Sequence, residues 1–177
     1  MLLQEVRHPK SDYIVVPRVS SENRRYVPMG FVSPDIIVND AMQMIPNATL
    51  YHFGILTSNV HMSWMRAVCG RLKSDYRYSK DIVYNNFPWP NTTDEQKAEI
   101  EKLVQSILDA RAEYPDSTLA DMYGETSLLL HSSLLNAHRA LDSAVMKLYG
   151  FPVKDFTESD CVQALMEMYQ QQTSIKY

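Results

Sequence analysis

Apolar residues in the first half of the chain occur in short runs that prolines and turn residues interrupt. The run Tyr13–Pro17 is rich in strand-forming side chains, and Tyr26–Val32 resumes an extended pattern after a polar connection over residues 18–25. Two shorter runs follow, at residues 36–38 and 41–45, with turn-forming residues between them. The pattern predicts short strands with irregular connections in this part of the chain.

The spacing changes before the middle of the chain. Residues 48–58 have a helical pattern, and Ser58–Asn59 is a suitable cap for a second helix over His61–Gly70. Residues 71–78 and 81–87 are predicted to be extended, the second because its side chains alternate between two faces. This part of the sequence therefore predicts two helices followed by two strands.

The rest of the chain has a helical pattern. Thr93 and Gln96 stand at the spacing of a capping box, so a helix begins there, and Tyr114-Pro115 ends it. Further helices are predicted over residues 118–123, 134–149 and 157–172. The three longer helices are amphipathic, which predicts a small bundle or a helical cap on the first half.

The predicted fold class is α+β with a change of structure at residue 90. Pro88 and Pro90 lack the backbone N–H donor and can continue neither a strand nor a helix. Residues 1–90 are predicted to form a small mixed or antiparallel sheet with short helices. Residues 91–177 are predicted to form an all-α helical domain.

Charge differs between the two halves of this 177-residue chain. Residues 1–90 hold ten Lys and Arg against seven Asp and Glu, a balance of +3, whereas residues 91–177 hold seven against fourteen, a balance of −7. This asymmetry indicates that one half faces a polyanion and the other faces solvent or protein. The basic residues concentrate between Arg66 and Lys80, where Tyr76 and Tyr78 interrupt them. Such a segment is either a nucleic-acid surface or a solvated basic loop.

Several kinds of chemistry have no support in the sequence. The five histidines never fall at a metal-ligand spacing, the two cysteines are far apart, and the five glycines form no phosphate-binding loop. No stretch has the apolar length of a membrane span, and the first ten residues do not resemble a secretory signal. We expect free thiols in a reducing, cytoplasmic compartment and no self-contained active site or metal site.

Long stretches of the sequence resemble the C-terminal part of MmeI-like restriction-modification proteins. The similar strings are IVVPRVSSENRRYVPMGF at 14–31, FGILTSNVHMSWMRAVCGRLKSDYRYS at 53–79, IVYNNFPWP at 82–90 and LLLHSSLLNAHRALDSAVMKLYG at 128–150. These proteins join a nuclease, an adenine-specific methyltransferase, a target recognition domain and a helical C-terminal domain in one chain. The resemblance covers almost the whole sequence.

The resemblance implies that this chain is the end of a longer protein. Residues 1–90 would be a target recognition domain, N-terminally truncated, and residues 91–177 the helical C-terminal domain. The S-adenosylmethionine site would lie in the methyltransferase domain upstream, so no cofactor is expected in this chain. The chain start, MLLQEVRHPKSDY, would continue an upstream domain. The expected partners are double-stranded DNA and that methyltransferase domain, with no membrane partner.

The family role assigns DNA contacts to polar residues of the first half. Positive side chains suit phosphates, whereas Arg, Asn, Asp and Glu can pair with base edges. The phosphate candidates are Arg18, Arg24, Arg25, Arg66, Arg71, Lys73 and Lys80. The base-reading candidates are Glu22, Asp75, Arg77 and Asn85. For each of them the alternative is a local ion pair or a turn cap, and Trp64, Tyr76, Phe87 and Trp89 are expected in the core.

Two hypotheses compete for the function. The first is a DNA-recognition module that is non-catalytic in isolation. The second is an acidic helical subunit that docks onto a catalytic methyltransferase or nuclease partner, which requires the apolar helix faces at residues 100–108 and 134–148 to remain exposed. A stand-alone enzyme has no supporting constellation. An incomplete sheet would also expose an edge, which predicts self-association.

Overall fold

The computed structural model describes residues 8–174, so the predicted continuation of an upstream domain at residues 1–7 lies outside the described residues. Two small antiparallel sheets occupy the recognition segment, which we define as residues 8–90. The helical segment, residues 91–174, contains helices only. This arrangement confirms the predicted fold class, antiparallel sheets with short helices followed by a helical region.

The strands are short and pair mostly with partners distant in sequence. They are β1 (Tyr13–Pro17), β2 (Val19–Ser20), β3 (Gly30–Val32), β4 (Met42–Ile45), β5 (Gly70–Leu72) and β6 (Asp75–Arg77). The first sheet has the order β3-β1-β4, with Ile14 opposite both Phe31 and Ile45. The second has the order β2-β6-β5. Residues 13–16 of β1, the central strand, are all buried, so both faces of this strand are covered.

Seven α-helices complete the described chain. They are α1 (Leu50–Thr57), α2 (Asn59–Val68), α3 (Asp94–Ala112), α4 (Leu119–Met122), α5 (Ser127–Leu130), α6 (Ser132–Leu148) and α7 (Glu158–Ser174). The predicted caps are present, since the Ser58 hydroxyl accepts the His61 amide and Thr93 forms a capping box with Gln96. Thr157 and Asp160 cap α7 in the same reciprocal way.

One hydrophobic core runs through both segments. Side chains of α1 and α2, such as Phe53 and Trp64, belong to the same buried cluster as Ile100 of α3 and Leu141 of α6. The apolar faces of α3 and α6 pack against each other and against α1. The docking hypothesis requires these helix faces to be exposed, but they are buried. Cys69 and Cys161 are free thiols, as expected.

Several local predictions differ from the structure, among them the predicted strand at residues 36–38, which is absent. Residues 81–87, predicted to be extended, contain a π-helical turn over Lys80–Tyr84. This turn forms because Ser79 caps it and because the Val83 carbonyl accepts a hydrogen bond from the Trp64 indole at 3.0 Å. Strand β2 lies in the segment predicted to be a polar connection, since its partner β6 follows far along the chain. Helix α5 was not predicted.

Candidate nucleic-acid interface

The two sheets meet at Arg18, where the chain passes from β1 to β2. The Arg18 amide donates to the Ala41 carbonyl at 2.9 Å beside the first sheet. Its carbonyl accepts the amide of Tyr78 at 2.8 Å beside the second sheet. These bonds fix the backbone of Arg18 on both sides, while its side chain is exposed.

The register of the second sheet decides which side chains face solvent. Cross-strand partners point to the same face of a sheet, and successive residues alternate. Val19 is opposite Arg77, and Asp75, two residues before Arg77, is opposite Leu72. These four side chains share the outer face, where Val19 and Leu72 are 38% and 52% exposed. The opposite face carries Ser20 and Tyr76, and both of these residues are buried.

A cleft of about 560 Å³ lies between strand β4 and the second sheet. Its walls include three cationic side chains, Arg18, Arg77 and Lys80, against one carboxylate, Asp81. Gln43 of β4 crosses the cleft, and its amide nitrogen donates to the Tyr78 carbonyl at 3.0 Å. The cleft is therefore a positively charged groove with a hydrogen-bonded floor.

Uncharged buried groups support the floor of this cleft from behind. The His61 Nε2 lies 2.9 Å from the Tyr78 hydroxyl, and both side chains are buried. Burial lowers the pKa of His61 to about 3 and raises the pKa of Tyr78 far above its ordinary value. The pair is neutral at physiological pH, so the charge of the cleft comes from its exposed cations.

The β5–β6 hairpin, residues 70–77, carries the predicted base readers Asp75 and Arg77, and we call it the recognition hairpin. Lys73 stands in its two-residue turn with φ of +57° and is exposed. Arg71 covers the ring of Tyr76 with its guanidinium carbon 4.1 Å from the ring centroid. The same guanidinium donates to the Ser74 carbonyl at 2.6 Å and to the Glu22 carboxylate at 3.3 Å. Arg71 and Glu22 therefore bind each other.

Three other predicted phosphate residues contact the helical segment. Arg24 donates to the Ala120 carbonyl at 3.4 Å, and Arg66 pairs with Glu158 of α7 at 3.2 Å. Arg25 lies 3.9 Å from Asp142 of α6. The structure thus separates the seven phosphate candidates: Arg18 and Lys80 line the cleft, Lys73 and Arg71 belong to the hairpin, and these three lie at the junction with the helices. Whether any of them contacts DNA stays a prediction.

The base-reading candidates are also separated. Asp75 and Arg77 share the outer face of the second sheet, whereas Asn85 lies just beyond the π-helical turn and donates to Asp81 at 3.4 Å. Trp64, Tyr76 and Phe87 are buried, and Trp89 is half-buried against the core, as predicted.

Two features, one in the cleft and one on the neighbouring outer face of the second sheet, were not predicted. Gln43 was not identified, although it is the polar residue in the otherwise apolar run 41–45. The exposed apolar pair Val19 and Leu72 was not identified either, because it depends on strand pairing. Across residues 8–174, no group of three His, Cys, Asp or Glu side chains is arranged to hold a metal ion. None of the helices described for this range is long and apolar enough to cross a membrane.

Comparisons with known proteins match both segments. Residues 1–91 match the family model of the MmeI target recognition domain, and residues 92–175 match that of the MmeI C-terminal domain. The chain therefore belongs to the MmeI family of restriction-modification proteins.

Two relatives illustrate the likeness. DNA methyltransferase A of Bacillus subtilis (strain 168) is 41% identical over 168 residues, which cover 94% of this chain and 18% of that protein. The structure of the type IIL restriction-modification enzyme MmeI in complex with DNA superposes with a TM-score of 0.89 at 43% identity, covering 96% of this chain and 22% of that one. The chain spans about a fifth of the length of each relative.

Proposed function

We propose that this chain is a sequence-specific recognition module for double-stranded DNA, belonging to a restriction-modification adenine-N6 DNA methyltransferase and non-catalytic in isolation. The observation that carries the proposal is the convergence of Arg18, Arg77 and Lys80 on one cleft between the two sheets. Arg18 is far from Arg77 and Lys80 in sequence and meets them only through the pairing of β2 with β6. A groove with excess positive charge and mixed polar and apolar walls suits a duplex, which presents phosphates and base edges together.

Separate parts of the cleft suit separate parts of the duplex. Arg18 and Lys80 at its walls would bind phosphates. Asp75, which is half-buried, and Arg77, which is exposed, both lie on the outer face of the second sheet and would read base edges, since aspartate accepts from the cytosine amino group and arginine donates to guanine. Glu22 and Asn85 remain proposed readers.

The relatives support a larger assembly. One is named as a DNA methyltransferase, and the other is a restriction-modification enzyme in complex with DNA. In a longer protein of this kind, the recognition module would work beside a methyltransferase domain that binds S-adenosylmethionine in the cytoplasm. That domain would be the partner of this chain, and the present residues would supply no part of the cofactor site.

Selection from a random-sequence duplex library at two salt concentrations tests the proposal. We expect binding that weakens as salt rises and a short motif enriched in the bound fraction. A folded sample that binds no duplex at low salt would contradict DNA recognition. Salt-dependent binding without an enriched motif would contradict sequence specificity.

The double replacement Arg18→Ala with Lys80→Ala is expected to weaken DNA binding at the cleft. Each lost phosphate contact lowers the slope of log affinity against log salt by about 0.9, so the slope should fall by about 2. Affinity at low salt should drop about tenfold or more, to a similar extent for all sequences. Fluorescence anisotropy with a labelled duplex across a salt series measures both quantities.

The matched control removes the same charge elsewhere. Lys102 and Arg139 are exposed on α3 and α6, and replacing both by alanine changes the net charge by the same amount. The control should keep the wild-type slope. Equal losses in the two double variants would show that net charge, and not the cleft, controls binding.

A further inference from the structure

Arg71 has three contacts that all lie within the recognition segment. Its guanidinium donates to the carbonyl of Ser74 at 2.6 Å, pairs with Glu22 at 3.3 Å and lies 4.1 Å from the ring centroid of Tyr76. Ser74 belongs to the turn of the recognition hairpin, and Glu22 belongs to the loop after β2, 49 residues earlier in the chain. One side chain therefore connects the tip of the hairpin to a separate loop.

We propose that Arg71 is a positioning residue that sets the geometry of the recognition hairpin, and that it does not bind a phosphate. The proposal rests on the proposed function, because the hairpin carries Asp75 and Arg77. Through Arg71 the loop that carries Glu22 is held at a fixed place relative to these two side chains. The loop after β2 and the hairpin are then held in one arrangement before DNA binds.

The side of the sheet on which Arg71 lies supports this role. Arg71 is opposite Tyr76 in the register, so the two side chains share the face that Ser20 helps to bury. Asp75 and Arg77 alternate with Tyr76 and point to the other face. Arg71 is therefore behind the hairpin relative to Asp75 and Arg77, and its charge is compensated by Glu22.

The hairpin gains from such support because, apart from the short pairing of β6 with β2, few of its residues are held in place. Its strands have three residues each, and Tyr76 is its one buried residue. The first residue of the two-residue turn, Lys73, has a positive φ that normally favours glycine. A non-glycine residue in this conformation persists where its surroundings hold it. The bond from Arg71 to the Ser74 carbonyl acts inside this turn.

Replacing Arg71 by lysine separates positioning from phosphate binding. Lysine keeps the positive charge and can bind a phosphate, but it lacks the planar guanidinium that stacks on the Tyr76 ring while one of its nitrogens donates to both a carboxylate and a carbonyl. For Arg71→Lys we expect the slope of log affinity against log salt to equal that of the wild type. The ratio of its affinity for the selected motif to its affinity for random duplex should be about tenfold lower than the wild-type ratio. A phosphate role predicts instead that lysine restores wild-type selectivity and that Arg71→Ala lowers the slope by about 1; that result would overturn the proposal.

Hydrogen exchange without DNA gives a second and independent measurement. Both Arg71→Lys and Glu22→Gln should speed amide exchange in residues 70–77 by about tenfold, since the same support is weakened, while exchange in α3 stays unchanged. Unchanged exchange in the hairpin would overturn the positioning role. If the wild type binds no duplex, the proposed function fails, and hydrogen exchange still decides whether Arg71 holds the hairpin.

Discussion

Wild-type stability relative to the variant Asp142→Asn is expected to fall by about 2 kcal/mol as pH rises from 4 to 7. The Asp142 carboxylate of α6 is buried, and this burial raises its pKa from 3.8 to about 6, although bonds from the Tyr26 hydroxyl at 2.6 Å and the Asn59 amide at 2.7 Å oppose the rise. A rise of this size corresponds to about 3 kcal/mol between the two protonation states.

The direction follows from proton binding in the two states. Between pH 3.8 and about 6 the folded chain holds a proton on Asp142 that the unfolded chain has released. The contribution of this proton is fully present below the unfolded pKa and is lost as pH rises through the folded pKa. Asparagine carries no charge at any pH, so its variant lacks this dependence.

Urea unfolding of both proteins at a series of pH values measures the difference. Asp116→Asn provides a control, because Asp116 is exposed in the turn after α3. The control should follow the wild-type curve closely. Parallel curves for the wild type and Asp142→Asn would contradict desolvation of this carboxyl group at the junction.

This prediction concerns the connection between the two segments. Tyr26 and Asn59 belong to the recognition segment, and Asp142 belongs to the helical segment. Arg25, 3.9 Å away, adds a partly exposed charge at the same place. A buried carboxylate shared in this way holds the start of α2 and the loop before β3 against α6. The helices therefore fix the base on which the cleft is built.

Local signals in the sequence predicted the elements whose cause is local. Helix α3 begins where Thr93 and Gln96 form a capping box, and β1 is the apolar run before a proline. The π-helical turn could not be predicted in this way. Its residues alternate as a strand would, and the bond that Trp64 donates to the Val83 carbonyl comes from another element.

The types of residue in the candidate site could be predicted from the sequence, but which of them the fold brings together could not. No local pattern distinguishes Arg18, Arg24 and Arg66 as phosphate candidates, yet only Arg18 lies in the cleft. Arg24 and Arg66 find their partners 96 and 92 residues later. The pairing of β2 with β6 that brings Arg18 near Arg77 is equally non-local. Such partners depend on tertiary packing, which a local pattern does not contain.

Replacing Gly54 by valine is expected to lower the free energy of unfolding by more than about 3 kcal/mol. A Cβ at Gly54 of α1 would lie 2.5 Å from Ile100 Cγ2 and 2.8 Å from Val104 Cγ2 of α3. Both neighbours are β-branched and buried, so neither methyl can turn aside within a helix. The gain in helix propensity over glycine is below about 1 kcal/mol and does not offset this overlap.

Gly70→Val is the matched control, since a Cβ there would meet nothing closer than the Cβ of Arg77 at 4.0 Å. Its stability should stay within about 0.5 kcal/mol of the wild type. Urea unfolding can be followed by the fluorescence of Trp64 and Trp89 in the recognition segment and by far-UV circular dichroism, in which α3, α6 and α7 dominate.

The two probes decide whether the shared core is cooperative. Gly54 lies in the recognition segment, whereas Ile100 and Val104 lie in the helical segment. In a single cooperative unit, Gly54→Val shifts the fluorescence and dichroism midpoints by the same amount. If the fluorescence midpoint moves alone, the helices are independently stable, and the recognition surface does not require them for its stability. Coincident shifts would mean that a DNA-recognition surface of this size depends on the helical segment to fold.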